Sequence, residues 1–405
     1  MPKLPAPDAR RAPLLLRRNS KMARSPHAYV RGNTSQYYDW LHSLRGQRLP
    51  HGPAVWICGD CHIGNLGPLA DTEGNIGLQL RDFDQTLIGN PAHDLVRLAL
   101  SLATAARGAA LPGVVTAHML EQMMVGYDRA LARADEDDVA LPEKPPQIRM
   151  AMRAASKRSW KELADERFAG PDSRLPLGKD FWPLAPEERV ALLSLFHTED
   201  VLKLVTSLHA GDSDAPIELV DSAYWVKGCS SLGLLRYAVL LKVGPDYRLM
   251  DVKEAVRATA PRYPNVSMPR DNARRVLAGA QQLAPALGQR MAAGRLLERG
   301  VFVRELLPQD LKLEIDRMTT SEATTLAAYL AYVVGRAHAR QMDPAARARW
   351  RAELQRGSRK HLDTPAWLWD SVVALVASHE AGYLEHCRRY ALPERDDDGM
   401  LVKPN

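Results

Sequence analysis

The sequence predicts an α+β fold in two parts, a small antiparallel sheet and a larger helical body. Three observations lead there. Alternating Ile76, Leu78 and Leu80, set off from Leu66–Ala70 by Asp71-Thr72-Glu73-Gly74, read as a β-hairpin. A second strand-turn-strand unit runs from Arg236 to Leu241, through Gly244-Pro245-Asp246, and on from Leu249 to Val252. Apolar residues recur at helical spacing around 94–108, 114–133, 320–340 and 365–391.

In chain order, residues 1 to about 20 are rich in Pro and Arg and read as an extended arm. Residues 26–45 carry Tyr29, Tyr37, Tyr38, Trp40 and Leu41, which suggests one helix packed on the main body. Val55-Trp56-Ile57-Cys58 reads as a short buried strand, with Asp60 where it ends. The hairpin that follows returns the chain, so Asp82 comes back toward Asp60 and Asn65. Asp94 opens a helix whose Leu95, Leu98, Leu102 and Ala106 share a face until Gly108 and Pro112 stop it. In the helix at 114–133, Met119 and Met123 read as core filler.

Texture then changes. Asp135 to Asp138 is acidic and Pro142-Glu143-Lys144-Pro145-Pro146 signals a linker, so 136–215 reads as a helical insert or connector with a helix near 186–208. The sheet part follows at 216–307, with a helix expected over 270–291 and a hinge-like strand at Val301 to Leu307. Thr319-Thr320-Ser321-Glu322 is a capping box and starts the helix at 320–340. The division is therefore 1–49, 50–135, 136–215, 216–307 and 308–405. His379 and His386 read as packing residues of the tail.

Apolar content of 46% and charged content of 25% suit an ordinary soluble chain of 405 residues, long enough for two or three packed units. No run approaches a membrane span, and Leu14-Leu15-Leu16 is too short for a signal core. Cysteines 58, 61, 229 and 387 form no disulfide framework, which points to the cytoplasm. Net charge is +6, and the N-terminus concentrates Arg and Lys. An arm folding over a phosphate-handling cleft is favoured there over a nucleic-acid arm. Oligomeric state leaves no mark.

Chemistry concentrates in Gly59-Asp60-Cys61-His62-Ile63-Gly64-Asn65 and Arg81-Asp82-Phe83-Asp84. Phosphoryl transfer needs one carboxylate to orient the attacking hydroxyl, with an amide and a second carboxylate to hold Mg²⁺. Asp, Asn five residues later, then Asp-Phe is the spacing of a kinase catalytic loop and metal site. The roles fall to Asp60 as catalytic residue and to Asn65 and Asp82 as metal ligands, with Asp84 in support. Gly228, Ser230, Ser231 and Gly233 lie on a turn that resembles a kinase glycine-rich loop, although Ser230 replaces its middle glycine. Lys253 follows one hairpin later, where a phosphate-pairing Lys belongs. Arg31 can reach a phosphate or pair with a surface acid.

These segments resemble the aminoglycoside- and choline-kinase branch of the protein-kinase-like superfamily, in which Gly-Asp replaces Arg-Asp. The resemblance implies ATP and Mg²⁺ as cofactors, a small-molecule acceptor, and a bracing role for Asp94. It also implies a bilobal protein-kinase-like fold, circularly permuted, because the catalytic loop precedes the glycine-rich loop and Lys253. A kinase pairs that Lys with a Glu on the next helix; 270–291 has no Glu, which leaves Gln281, Gln282 or Glu254. Over nearly its whole length the chain is similar to the bacterial domain-of-unknown-function family 2252. The marks are Met22, Ser25-Pro26, Arg31-Gly32, the Gly59-Asp60-Cys61-His62 loop, Lys253-Glu254-Ala255 and Ala337-His338-Ala339-Arg340.

The expected function is an ATP- and Mg²⁺-dependent phosphotransferase. The alternatives are a catalytically weak nucleotide binder or a nucleotidyl transferase on the same fold. More distant is a redox, zinc or haem site, since Cys58 to His62 also spells C-x-x-C-H.

Overall fold

The computed structural model describes residues 5–43, 49–132, 143–167, 174–207, 216–311, 318–356 and 364–390. The acidic stretch at 135–138 lies outside them. The fold is α+β.

Residues 11–22 form a helix, α1 (Arg11–Met22), where an extended arm was expected. Pro13 sits in the first turn, where its missing N–H is not needed, and Leu14 and Met22 are buried. The expected helix at 26–45 is two helices, α2 (Pro26–Gly32) and α3 (Thr34–His42). Asn33 leaves the helical region between them, and its side chain caps α3 by accepting from Gln36 N.

Next come β1 (Val55–Ile57), the hairpin β2 (Leu66–Ala70) and β3 (Ile76–Leu80), and β4 (Leu87–Gly89). β1 pairs antiparallel with β4, a partner that three residues of sequence do not announce. The helical body continues with α4 (Pro91–Gly108), α5 (Gly113–Ala132), α6 (Pro146–Lys157) and α7 (Trp160–Arg167). Within the stretch read as a connector, β5 (Phe181–Trp182), α8 (Pro186–Phe196) and α9 (Glu199–Ser207) belong with the sheet.

The sheet continues through β6 (Ile217–Trp225), β7 (Arg236–Val243) and β8 (Asp246–Glu254). The helix expected over 270–291 stops early, as α10 (Asn272–Leu283) and the short α11 (Pro285–Gly288). Pro285 pushes Ala284 out of the helical region. The chain then turns back as β9 (Met291–Leu296) and β10 (Arg299–Leu306). Closing the described fold are α12 (Thr320–Ala339), α13 (Pro344–Leu354) and α14 (Ala366–Tyr390). The capping box is present: Thr319 Oγ1 accepts from Glu322 N, and Glu322 accepts from Thr319 N.

The larger sheet has the order β5-β6-β7-β8-β10-β9, with antiparallel neighbours. Its two faces differ because side chains alternate along a strand. Tyr237, Val239, Met250, Val252, Val301 and Val303 face α8 and α9, where Leu192, Leu195 and Val201 complete an apolar layer. The opposite set, Arg236, Asp251, Lys253, Phe302 and Arg304, turns toward the helical body. Register sets Arg236 and Phe302 on either side of Lys253.

A second core unites α4, α5 and α12 through Leu95, Leu98, Met123, Tyr127, Leu326 and Leu330. Gly126 of α5 lies so close to α12 that a Cβ there would stand 2.0 Å from the Ala328 carbonyl oxygen. No helix among the described residues is long and apolar enough to cross a membrane.

Candidate functional site

β1 delivers the chain to a tight loop. Gly59 has φ +74°, and the Gln85 carbonyl fills the space a Cβ would need, so only glycine fits. Asp94, in the first turn of α4, accepts from Cys58 N (2.7 Å) and Gly59 N (2.9 Å). His338 Nε2 lies 3.1 Å from the same carboxylate. Behind it, His338 Nδ1 meets Tyr127 Oη at 2.9 Å, and Trp350 Nε1 donates to Tyr127 Oη at 3.2 Å. This buried chain ties the loop to α4, α12, α5 and α13.

Asp60 is nearly covered, and both its oxygens are engaged. Arg97 Nε donates to Oδ1 at 2.9 Å and Thr34 Oγ1 to Oδ2 at 2.8 Å. Burial pushes this carboxyl up, against the pull of Arg97 and Thr34. Asn65 Nδ2 donates to the Asp60 carbonyl at 2.8 Å, which leaves its amide oxygen as the free acceptor.

The return strand β3 brings Asp82 and Asp84 to the charged face of the sheet. Lys253 Nζ lies 3.4 Å from Asp82 Oδ1 and contacts Asp84 Oδ2 more closely. Loop 81–86 is pinned by backbone contacts: Arg304 Nη1 donates to Arg81 O (3.1 Å) and Arg275 Nη2 to Asp84 O (3.0 Å). The two carboxylates divide their work. Burial raises Asp82, but Lys253, Arg304 and Arg236 outweigh it and hold the group well below the usual carboxylate range. Burial and the neighbouring Asp82 push Asp84 up to about 6. The Asp82 side chain is 45% exposed and that of Asp84 18%, so Asp82 faces the cleft while Asp84 sits behind it. Asp84 Oδ1 is buried with no hydrogen-bond partner among the described residues.

The glycine-rich turn joins β6 to β7. Gly228 and Gly233 both take positive φ, +92° and +99°. Ser230 lines the same cleft as Asp60, Asn65, Asp82 and Asp84. Ser231 is buried and donates to Lys227 O at 3.3 Å, so it serves the turn itself. Lys21 Nζ donates to Gly228 O at 2.9 Å, and Arg18, Thr34 and Ser35 border the cleft. Helices α1 to α3 therefore lie against its mouth. Arg31 lies against Gly64 of the loop and is not among the cleft-lining residues.

Three expectations need correction. Glu254 does not pair with Lys253: it points to the other face of β8, where it accepts from Leu235 N (2.9 Å) and meets Arg299 (2.7 Å). Gln281 and Gln282 are exposed. The carboxylate closest to Lys253 is instead Asp84, from the loop at 81–86. Sequence reasoning also missed Arg97 and Thr34 on Asp60, and the buried Arg236–Asp251–Arg304 cluster (2.6 and 3.1 Å) beside Asp82. Arg97 had one signal: it falls one helical turn after Asp94, on the face already turned to the loop.

Cys58 and Cys61 are fully buried, and burial pushes both thiols well up. His62 is held well below its ordinary value by burial and by Arg31. Among the described residues no group of three His, Cys, Asp or Glu converges to hold a metal alone. Among the described residues, Cys58, Cys61 and His62 therefore do not converge as a metal-holding group.

No curated protein matches the chain, and no solved structure does. Residues 10–389 match the family model described as an uncharacterized protein conserved in bacteria (DUF2252), and the chain belongs to that family.

Proposed function

We propose that the chain is a Mg²⁺- and ATP-dependent phosphotransferase of protein-kinase-like, circularly permuted type, acting on a small hydroxylated or amine acceptor. One observation carries this reading: Lys253 contacts Asp82, 171 residues away, from behind a cleft that Asp82 lines together with Asp60 and Asn65. Neither local pattern requires the other. A triphosphate does, because its β- and γ-phosphates must be reached by a Lys and by the metal-bearing carboxylate together.

The donor set fits Mg²⁺. The exposed Asp82 carboxylate, the Asn65 amide oxygen and the partnerless Asp84 Oδ1 are hard oxygen donors. Mg²⁺ is commonly held by one or two carboxylates plus substrate phosphates rather than by an all-protein cage. Bound there, it would neutralise charge on the phosphates. Lys253 is poised to exchange its carboxylate contacts for phosphate oxygens. The turn at 228–233 can bring backbone N–H groups close to phosphates. Asp60 orients the acceptor hydroxyl and takes its proton.

The test is a thermal shift with Mg·ATP alongside a transfer assay. Asp82→Ala is expected to abolish the Mg²⁺-dependent shift, while Asp60→Asn keeps most of it and loses transfer. An undiminished shift in Asp82→Ala refutes the assignment. Loss of nucleotide binding in Asp60→Asn, as complete as in Asp82→Ala, refutes the division of roles.

A further inference from the structure

Asp60 already holds a hydroxyl. Thr34 Oγ1 donates to its Oδ2 at 2.8 Å, the geometry a general base adopts toward the proton it removes. That hydroxyl belongs to the chain itself, from the start of α3, and Thr34 lines the same cleft as Asn65, Asp82 and Ser230. Its neighbour Ser35 lines the cleft too, but donates to Asn33 Oδ1 at 2.8 Å and not to Asp60. Two cations, Arg18 at the cleft and Arg97 on Asp60, stand near.

We infer that Thr34 is an internal acceptor, and that the chain transfers a phosphoryl group from a nucleoside triphosphate to its own Thr34 hydroxyl. This rests on the phosphotransferase reading. In the step, Thr34 Oγ1 forms a bond to the γ-phosphorus, and the bond from that phosphorus to the β–γ bridging oxygen breaks. The nucleoside diphosphate leaves with the electron pair, and the Thr34 proton passes to Asp60 Oδ2. The product is placed well, because a phosphate on the first residue of α3 lies at the positive end of the helix dipole. Once modified, Thr34 has no proton to donate and carries negative charge beside Asp60. The contact then breaks, and Asp60 becomes available to an external hydroxyl.

The experiment incubates the purified full chain with Mg·ATP, reads intact mass, and maps the modified fragment. Mg·ATP thermal shift is recorded in parallel. The expected result is a gain of one phosphoryl group on Thr34, at a first-order rate independent of protein concentration. Thr34→Ser is expected to keep the modification, and Thr34→Ala and Asp82→Ala to lose it. Wild-type protein that shows the Mg·ATP shift but gains no mass, or whose modified fragment excludes Thr34, overturns this inference and leaves the site assignment standing. A gain equal to a nucleotidyl group overturns the phosphoryl step. Neither shift nor mass gain overturns both. Since mapping is done on wild type and on the conservative Thr34→Ser, a poorly folded Thr34→Ala does not decide the outcome.

Discussion

Asp82 and Asp84 are two residues apart and titrate in opposite directions. Asp84 is held above the ordinary carboxylate value near 4, so the folded state binds its proton more tightly than the unfolded chain. Its contribution to stability is fully present below about 4 and is lost as pH rises through about 6. Asp82 is held low, so its contribution is present above the ordinary value and is lost as pH falls. Only Asp84 of the two acts between pH 4 and 6. Replacing it with Asn keeps the shape and removes the titration. The stability of wild type relative to Asp84→Asn should therefore fall across that window, by at most about 3 kcal/mol. Urea unfolding of both proteins at a series of pH values measures it; a difference that stays flat or rises would contradict the assignment. Of the residues that line the cleft, those legible beforehand were in short local patterns: Asp60, Asn65, Asp82, Asp84 and Ser230. Arg97 and Thr34, the partners of Asp60, were not, because their meeting with it depends on how α2, α3 and α4 pack.

At the scale of elements, the loop at 58–65 depends on a carboxylate in another element. Asp94→Ala leaves two buried N–H groups and His338 without their acceptor. The expected loss is on the order of 3–5 kcal/mol, with Asp94→Asn losing less because one acceptor remains. Denaturant midpoints of the two variants give the comparison, and equal losses would mean that the charge rather than the hydrogen-bond count matters. Gly126→Ala tests the α5–α12 contact. Its new methyl meets backbone, which cannot rotate away, so destabilisation of roughly 1–3 kcal/mol is expected; a neutral result would show that the helices can separate freely. Elements governed by local signals were legible: the β2–β3 hairpin by its turn, α4 by Asp94 and its leucines, α12 by its capping box. Breaks and pairings were harder. Asn33 divides α2 from α3, Pro285 ends the helix that 270–291 suggested, and β4 finds β1 from thirty residues away. Helical spacing continues across such points, and only packing decides which side of them is helix.

Across the whole molecule, the apolar face of the sheet is sealed by α8 and α9 while its charged face meets the helical body. A ligand at that junction touches both parts. Mg·ATP should therefore slow amide hydrogen exchange both in the 58–65 loop and in the 228–233 turn with β8. Protection confined to one of the two segments would mean that the ligand does not bridge them.

Helix α1 touches three distant parts of the chain. Arg10, just before it, pairs with Glu188 of α8 at 2.7 Å. Lys21 reaches the glycine-rich turn. Asn19 O faces His386 Nε2 at 2.9 Å and Ala23 O accepts from Tyr383 Oη at 3.1 Å, both partners lying in α14 about 360 residues later. Proteins are made from the N-terminus, and a helix of twelve residues has little stability alone in water. On the ribosome, α1 is therefore exposed long before its last partner exists. Until residues 383–386 are made, Glu188 and the 228–233 turn are the only ones of these three partners that can hold α1, so its last anchor is also the last to be synthesised.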